Sequence, residues 1–208
     1  MKLLLTFATI MLLSITNFYC TTNKSGEMKE SADQMDTGKK ATEKPQYEIT
    51  VTQKGVELGK IIIETFPDVA PKHCETFDNL VKSRFYDGLA FHRVIPGFMI
   101  QGGDPNSKDK PKETWGMGDP SQPTMPAEFS NISHKRGIVS TARKGNDINS
   151  ATSQFFIMVA DYPSLDGQYT VFGKVLEGMD VADKIVKTPT ERPDRPIDKV
   201  EMKIRRIK

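Results

Sequence analysis

The run Phe91-His92-Arg93-Val94-Ile95-Pro96-Gly97-Phe98-Met99-Ile100-Gln101-Gly102-Gly103-Asp104 sets one arginine and one glutamine among large apolar side chains. A guanidinium is a permanently charged, planar fork of donors. Fixed beside an apolar wall, it does electrostatic work: it donates to charge as that charge develops, with no covalent step. A lone arginine is read as half of a surface ion pair; the surrounding pattern sets Arg93 apart. Further on, Asn149-Ser150-Ala151-Thr152-Ser153-Gln154-Phe155-Phe156-Ile157-Met158 and Leu165-Asp166-Gly167-Gln168-Tyr169-Thr170-Val171-Phe172-Gly173 again set glutamine beside aromatic rings.

Other chemistries find little support. The chain has 2 cysteines, Cys20 and Cys74, too few for a disulfide framework. Its 3 histidines, His73, His92 and His134, are scattered, and no C-x-x-C or H-E-x-x-H spacing occurs, so no metal site is expected. Cys74 falls on the apolar stripe of a helix and is read as a buried, inert thiol. His92 is read as a structural strand residue rather than a base, and His73 and His134 as surface residues. Net charge is +2, from 29 basic and 27 acidic side chains, which gives no electrostatic case for nucleic acid. Gly116-Met117-Gly118 lacks the strand–helix context of a phosphate loop and is expected to be a solvated loop.

The elements that must position these residues are short. Tyr47, Ile49 and Val51 alternate with polar residues, the period of a half-buried strand. A hairpin turn at Lys54-Gly55 leads into a second β-rich run through Ile61-Ile62-Ile63. Pro71 opens a helix whose Cys74, Phe77, Leu80 and Val81 share one stripe. Short β-like runs follow at 91–94, 98–101, 137–141, 155–159 and 171–175, then a helix over 178–186 and a last strand through Val200, Met202 and Ile204. Many short strands with few helices predict a mainly β barrel.

The N-terminus reads as an address. Lys2 precedes an apolar stretch from Leu3 to Ile15, too short to span a bilayer comfortably and followed by Cys20 and a polar run. The pattern resembles a bacterial lipoprotein signal in which Cys20 is acylated, although Phe18 and Tyr19 are bulkier than the residues usual before such a cysteine. An uncleaved anchor and ordinary secretion are the alternatives. The expected organisation is a signal peptide over 1–20, a flexible polar linker over 21–45 and one domain over 46–208. The protein is then exported and tethered to a bacterial membrane surface.

Taken in order, the three motif blocks make the chain similar to the cyclophilin-type peptidyl-prolyl cis/trans isomerases over the whole of residues 46–208. The resemblance implies a closed eight-stranded antiparallel β-barrel capped by two α-helices. It also implies catalysis of X-Pro rotation in exported or unfolded polypeptides, without a cofactor. By resemblance Arg93, Gln101 and Phe98 are catalytic. Met99, Ala142, Arg143, Gln154, Phe156, Leu165 and Tyr169 bind substrate, Ala142 and Arg143 mainly through main-chain groups. Two adjacent strand positions cannot both face a pocket, and the family pattern chooses Phe156 over Phe155. Ser164 stands where animal relatives often carry tryptophan, and Tyr169 where they carry histidine, so weak binding of cyclosporin is expected. Arg143 and Lys144 add charge beside the groove and suggest a mild preference for acidic residues flanking proline. The rival reading is a proline-peptide-binding chaperone or surface adhesin with incidental turnover.

Overall fold

The computed structural model describes residues 44–191 and 194–208; the expected signal peptide over 1–20 with Cys20, and all but the last two residues of the expected linker over 21–45, lie outside the described residues. In chain order the elements are β1 (Gln46–Gln53), β2 (Val56–Thr65), α1 (Pro71–Lys82), β3 (Leu89–Ile95), β4 (Met99–Gly102), β5 (Ile138–Thr141), β6 (Phe155–Met158), β7 (Val171–Glu177), α2 (Met179–Val186), β8 (Thr190–Glu191), β9 (Arg195–Pro196) and β10 (Val200–Arg206). Eight strands close into an antiparallel barrel in the order β1-β10-β3-β4-β6-β5-β7-β2, while β8 and β9 form a separate small hairpin.

Alternation decides what points inward. Ile49 of β1 stands opposite Ile61 of β2 and Ile204 of β10, and all three are fully buried. The β1–β2 turn needs two left-handed residues and has them at Lys54 (φ 52°) and Gly55 (φ 77°). Pro71 starts α1 with its φ already set. The helix sends Cys74, Phe77 and Val81 into the core, where the Phe77 ring lies 5.1 Å from that of Tyr47 and 5.9 Å from that of Phe155. Gly178 precedes α2 with a left-handed φ of 89°, and a Cβ there would collide with the Lys60 carbonyl. That close approach lets Val181, Ala182, Ile185 and Val186 join the same core as the barrel residues.

Two expectations need correction. His73 and His134 are both buried, each with a carboxylate partner: His73 Nδ1 lies 2.7 Å from Glu128 Oε2, and His134 Nδ1 lies 3.0 Å from Asp166 Oδ1. A histidine offered an acceptor at one nitrogen loses the main cost of burial. The loop over 105–126, which carries Gly116-Met117-Gly118, is solvated at its tip as expected but anchored at its base. Asp104 is fully buried and accepts from the backbone N–H groups of Asn106 and Gly116, while Asn106 Nδ2 donates to the carbonyls of Thr114 and Gly118. Its turns are therefore held by interior polar groups, although Met117 at the tip is 72% exposed.

Candidate active site

Strand register builds the site. Arg93 of β3 is paired with Gln101 of β4, Gln101 with Phe156 of β6, and Phe156 with Ser140 of β5. Residues directly opposite in a ladder share a face, so these four form one row across the outside of the barrel wall. The inward row beside it, Val94, Ile100, Ile157 and Val139, belongs to the core.

A second apolar cluster sits on the outer face. Met99, Phe156 and Met158 are buried in it, with Phe98, Ala142, Leu165 and Tyr169 packed around them. It contains all the apolar residues expected to bind proline, while Phe155 sits in the barrel core. Phe98 leads into β4, and its ring packs at a tilt against that of Tyr162, centroids 4.5 Å apart. Leu165 ends a 3-10 turn over Pro163–Leu165, and Tyr169 meets the Phe156 ring edge-on at 5.6 Å. The cluster thus makes an aromatic notch with thioethers in its floor.

The polar side of the row is a chain of donors. Arg93 Nη1 donates to Gln101 Oε1 at 3.5 Å, Gln101 Nε2 to Gln154 Oε1 at 3.0 Å, and Gln154 Nε2 to the Gly116 carbonyl at 3.2 Å. Both glutamines are thereby paired, which removes the penalty of placing them against apolar strands. Among the described residues, Arg93 Nη2 carries no hydrogen bond and remains a donor for something else. A cleft of about 670 Å³ adjoins the notch, with Gln101, Gln154, Lys110, Asp119, Arg143 and Lys144 in its lining.

Main-chain groups at Ala142 and Arg143 are half used. The Ala142 N–H donates to the Gln154 carbonyl at 2.9 Å; the Ala142 carbonyl and Arg143 N–H carry no hydrogen bond among the described residues. The Arg143 side chain has a role the sequence reading did not give it. Its guanidinium lies 4.6 Å from the Tyr169 ring centroid and donates to the carbonyls of Gln168, Lys144 and Gly145. It fastens the rim of the notch through a cation–π contact and three backbone anchors.

The sequence reading also missed the support behind the notch. His134 Nδ1 faces Asp166 at 3.0 Å, and its Nε2 lies 3.1 Å from Ser140 Oγ. In the tautomer that donates Nδ1–H to Asp166, Nε2 accepts a hydrogen bond from the Ser140 hydroxyl. This has the order of a nucleophile–base–acid triad, but Ser140 is fully buried and no substrate can reach it. The His134 ring instead stacks on Phe156 at 6.2 Å, so the trio is a strut under the pocket wall. Asp166 lies within a motif block; His134 and Ser140 do not, and nothing in their local spacing links them.

His92 is buried, and neither ring nitrogen makes a well-formed hydrogen bond, although the Ala90 main chain interacts with the ring. Burial, partly opposed by the Asp104 carboxylate, holds its pKa down at about 4, so the ring is neutral at pH 7. Burial likewise pushes the Cys74 thiol up to about 11, consistent with an inert side chain. Among the described residues no group of three or more His, Cys, Asp or Glu could hold a metal ion.

A sequence profile described as "Cyclophilin type peptidyl-prolyl cis-trans isomerase/CLD" matches residues 47–208. The chain belongs to this family. Similar proteins include a probable peptidyl-prolyl cis-trans isomerase of Brucella abortus, 50% identical over 133 residues, covering 62% of this chain and 67% of that one. Another, from Schizosaccharomyces pombe, is 41% identical over 145 residues, covering 70% and 90%. Among solved structures, a cyclophilin-type isomerase of Cryptosporidium parvum superposes with a TM-score of 0.70 at 30% identity, covering 79% of this chain and 98% of its own. A second structure of that protein, in the presence of the dipeptide Ala-Pro, gives a TM-score of 0.67 at 30% identity, with coverage of 76% and 96%. This chain is therefore a cyclophilin-type isomerase with a closed β-barrel, and its outer row of Arg93, Gln101 and Phe156 lies within the matched region.

Proposed function

We propose that this cyclophilin accelerates X-Pro rotation by binding the twisted amide more tightly than either planar form, with Arg93 as the decisive group. The planar bond is held by resonance worth a barrier of about 18–20 kcal/mol. As it twists, the proline nitrogen turns pyramidal and its lone pair localises. A guanidinium N–H donating to that pair stabilises the twisted state selectively. The pyrrolidine ring occupies the notch of Phe98, Met99, Phe156 and Leu165, with Tyr169 at the rim. Gln101 orients Arg93, Gln154 orients Gln101, and the Ala142 carbonyl and Arg143 N–H pair with substrate backbone.

The observation that carries this reading is the cross-strand pairing of Arg93 with Gln101 and of Gln101 with Phe156, which sets the guanidinium and the notch on one face. A protease-coupled peptide assay on wild type and Arg93→Ala tests it. Unchanged turnover in the variant rejects the assignment. The exposed Met117 in the cleft lining favours a second use, holding apolar client segments. Client protection that survives in Arg93→Ala supports that use.

The setting is an extension of the same proposal: proline-containing segments of exported proteins, met at a membrane surface through an acyl chain on Cys20. Radiolabelled palmitate should enter the wild type and not Cys20→Ser when each is expressed in bacteria; equal labelling, or none, removes the tether. Lys110, Arg143 and Lys144 outnumber Asp119 in the cleft lining, which supports a mild preference for acidic residues near proline. Equal turnover of acidic-flanked and basic-flanked peptides at low salt would dispose of that preference.

A further inference from the structure

Arg93 is gripped from two sides. Gln101 meets Nη1 from the neighbouring strand, while Asp194 Oδ2 stands 3.9 Å from Nε. Asp194 arrives from a distant part of the chain. It lies between β8 and β9, and four contacts fasten that hairpin. The Asp194 carbonyl accepts from Val94 N–H at 2.8 Å, beside Arg93 on β3. Arg195 donates to the Lys112 carbonyl and pairs with Glu191 at 2.9 Å, while Lys112 Nζ reaches the Ile197 carbonyl at 2.6 Å. Asp194 holds a left-handed φ of 59°, which aspartate tolerates better than most residues.

We propose that Asp194 is a positioning residue for catalysis, restraining the Arg93 guanidinium so that its outer nitrogen stays over the proline notch. An unrestrained arginine carries about 2 kcal/mol of rotamer entropy, and the Gln101 contact is a long one. A carboxylate at the Nε end leaves Nη2 as the donor for substrate. Both partners are about half exposed, with side-chain accessibilities of 42% and 47%, so the pair adds little to folding. Its contribution is to where the fork points.

This inference rests on the proposed role of Arg93, and the test separates the two. Asp194→Asn keeps the backbone conformation and removes the charge. At low salt it should lower kcat about two- to fivefold, the range of half-exposed ion pairs, with KM and melting temperature unchanged. Asp194→Glu should restore part of the loss. Added salt should bring wild-type kcat down towards that of Asp194→Asn, while the variant stays flat. In an Arg93→Ala background the substitution should have no effect. If Arg93→Ala abolishes turnover but Asp194→Asn keeps wild-type kcat at low salt, the positioning role is wrong and the Arg93 assignment stands. A loss that ignores salt, or that comes with a lowered melting temperature, also overturns it. Should Arg93→Ala itself turn over normally, the failure lies with Arg93.

Discussion

Phe155 and Phe156 are chain neighbours on β6 that serve opposite sides of the barrel wall: one packs against Phe77 in the core, the other backs the notch. Truncating each to alanine should therefore separate the two in KM. Phe155→Ala leaves an interior cavity and should cost about 3–5 kcal/mol of stability, with near-normal KM for the molecules that remain folded. Phe156→Ala also removes a buried ring and should cost stability, but it opens the notch and should raise KM as well. Denaturant titration beside steady-state kinetics reads both, and matching profiles would mean that the two rings share one side.

Arg93 is the sharpest functional test. Removing a preorganised donor of this kind costs about 10²–10³ in kcat, so Arg93→Ala should fall by that amount with its circular dichroism spectrum unchanged. Arg93→Lys keeps the charge but not the planar fork and should recover little of the rate. Full recovery by lysine would show that charge alone suffices.

His92 makes stability depend on pH. Its folded pKa of about 4 lies below the ordinary value of 6.5, so the unfolded chain takes up the proton first. The stability this contributes is complete above about pH 6.5 and is lost as pH falls towards 4. Carboxylates held low by their partners, such as Asp78 beside Lys82 and Tyr47, and Glu128 beside His73, lose their contributions only at lower pH still. Melting temperatures between pH 7 and 5 should thus decline in the wild type. His92→Phe, which removes two buried nitrogens that lack well-formed hydrogen bonds, should flatten that decline. A parallel decline in the variant would place the titration elsewhere.

Ser164 lies in the 3-10 turn that carries Leu165. With no indole there, cyclosporin should bind this protein only weakly. Ser164→Trp should tighten the complex by about tenfold, the upper range for one added aromatic contact. Isothermal titration of the two proteins measures the difference, and a nanomolar wild-type complex would contradict the expectation.

What the sequence showed and what it hid divide along physical lines. Alternation at Tyr47, Ile49 and Val51, the Lys54-Gly55 turn and the Pro71 helix start were legible because each is a local signal. The division between Phe155 and Phe156 followed from strand period and family pattern together. His134, Asp166 and Ser140 were not legible as a unit, because their contact is made by loops converging in space. The anchoring of 105–126 was missed for the same reason: a buried Asp104 looks from sequence like any loop aspartate. Asp194 comes to Arg93 only through the docking of a hairpin with two-residue strands, which no hydrophobic period announces.

The closed strand order has a bearing on the company this enzyme keeps. Substrates for proline rotation are extended chains, whose exposed amides seek any unpaired strand to extend. A wall that returns from β2 to β1 without interruption offers them no free ladder to join. An extended polypeptide lying against the barrel wall therefore meets side chains rather than a strand edge.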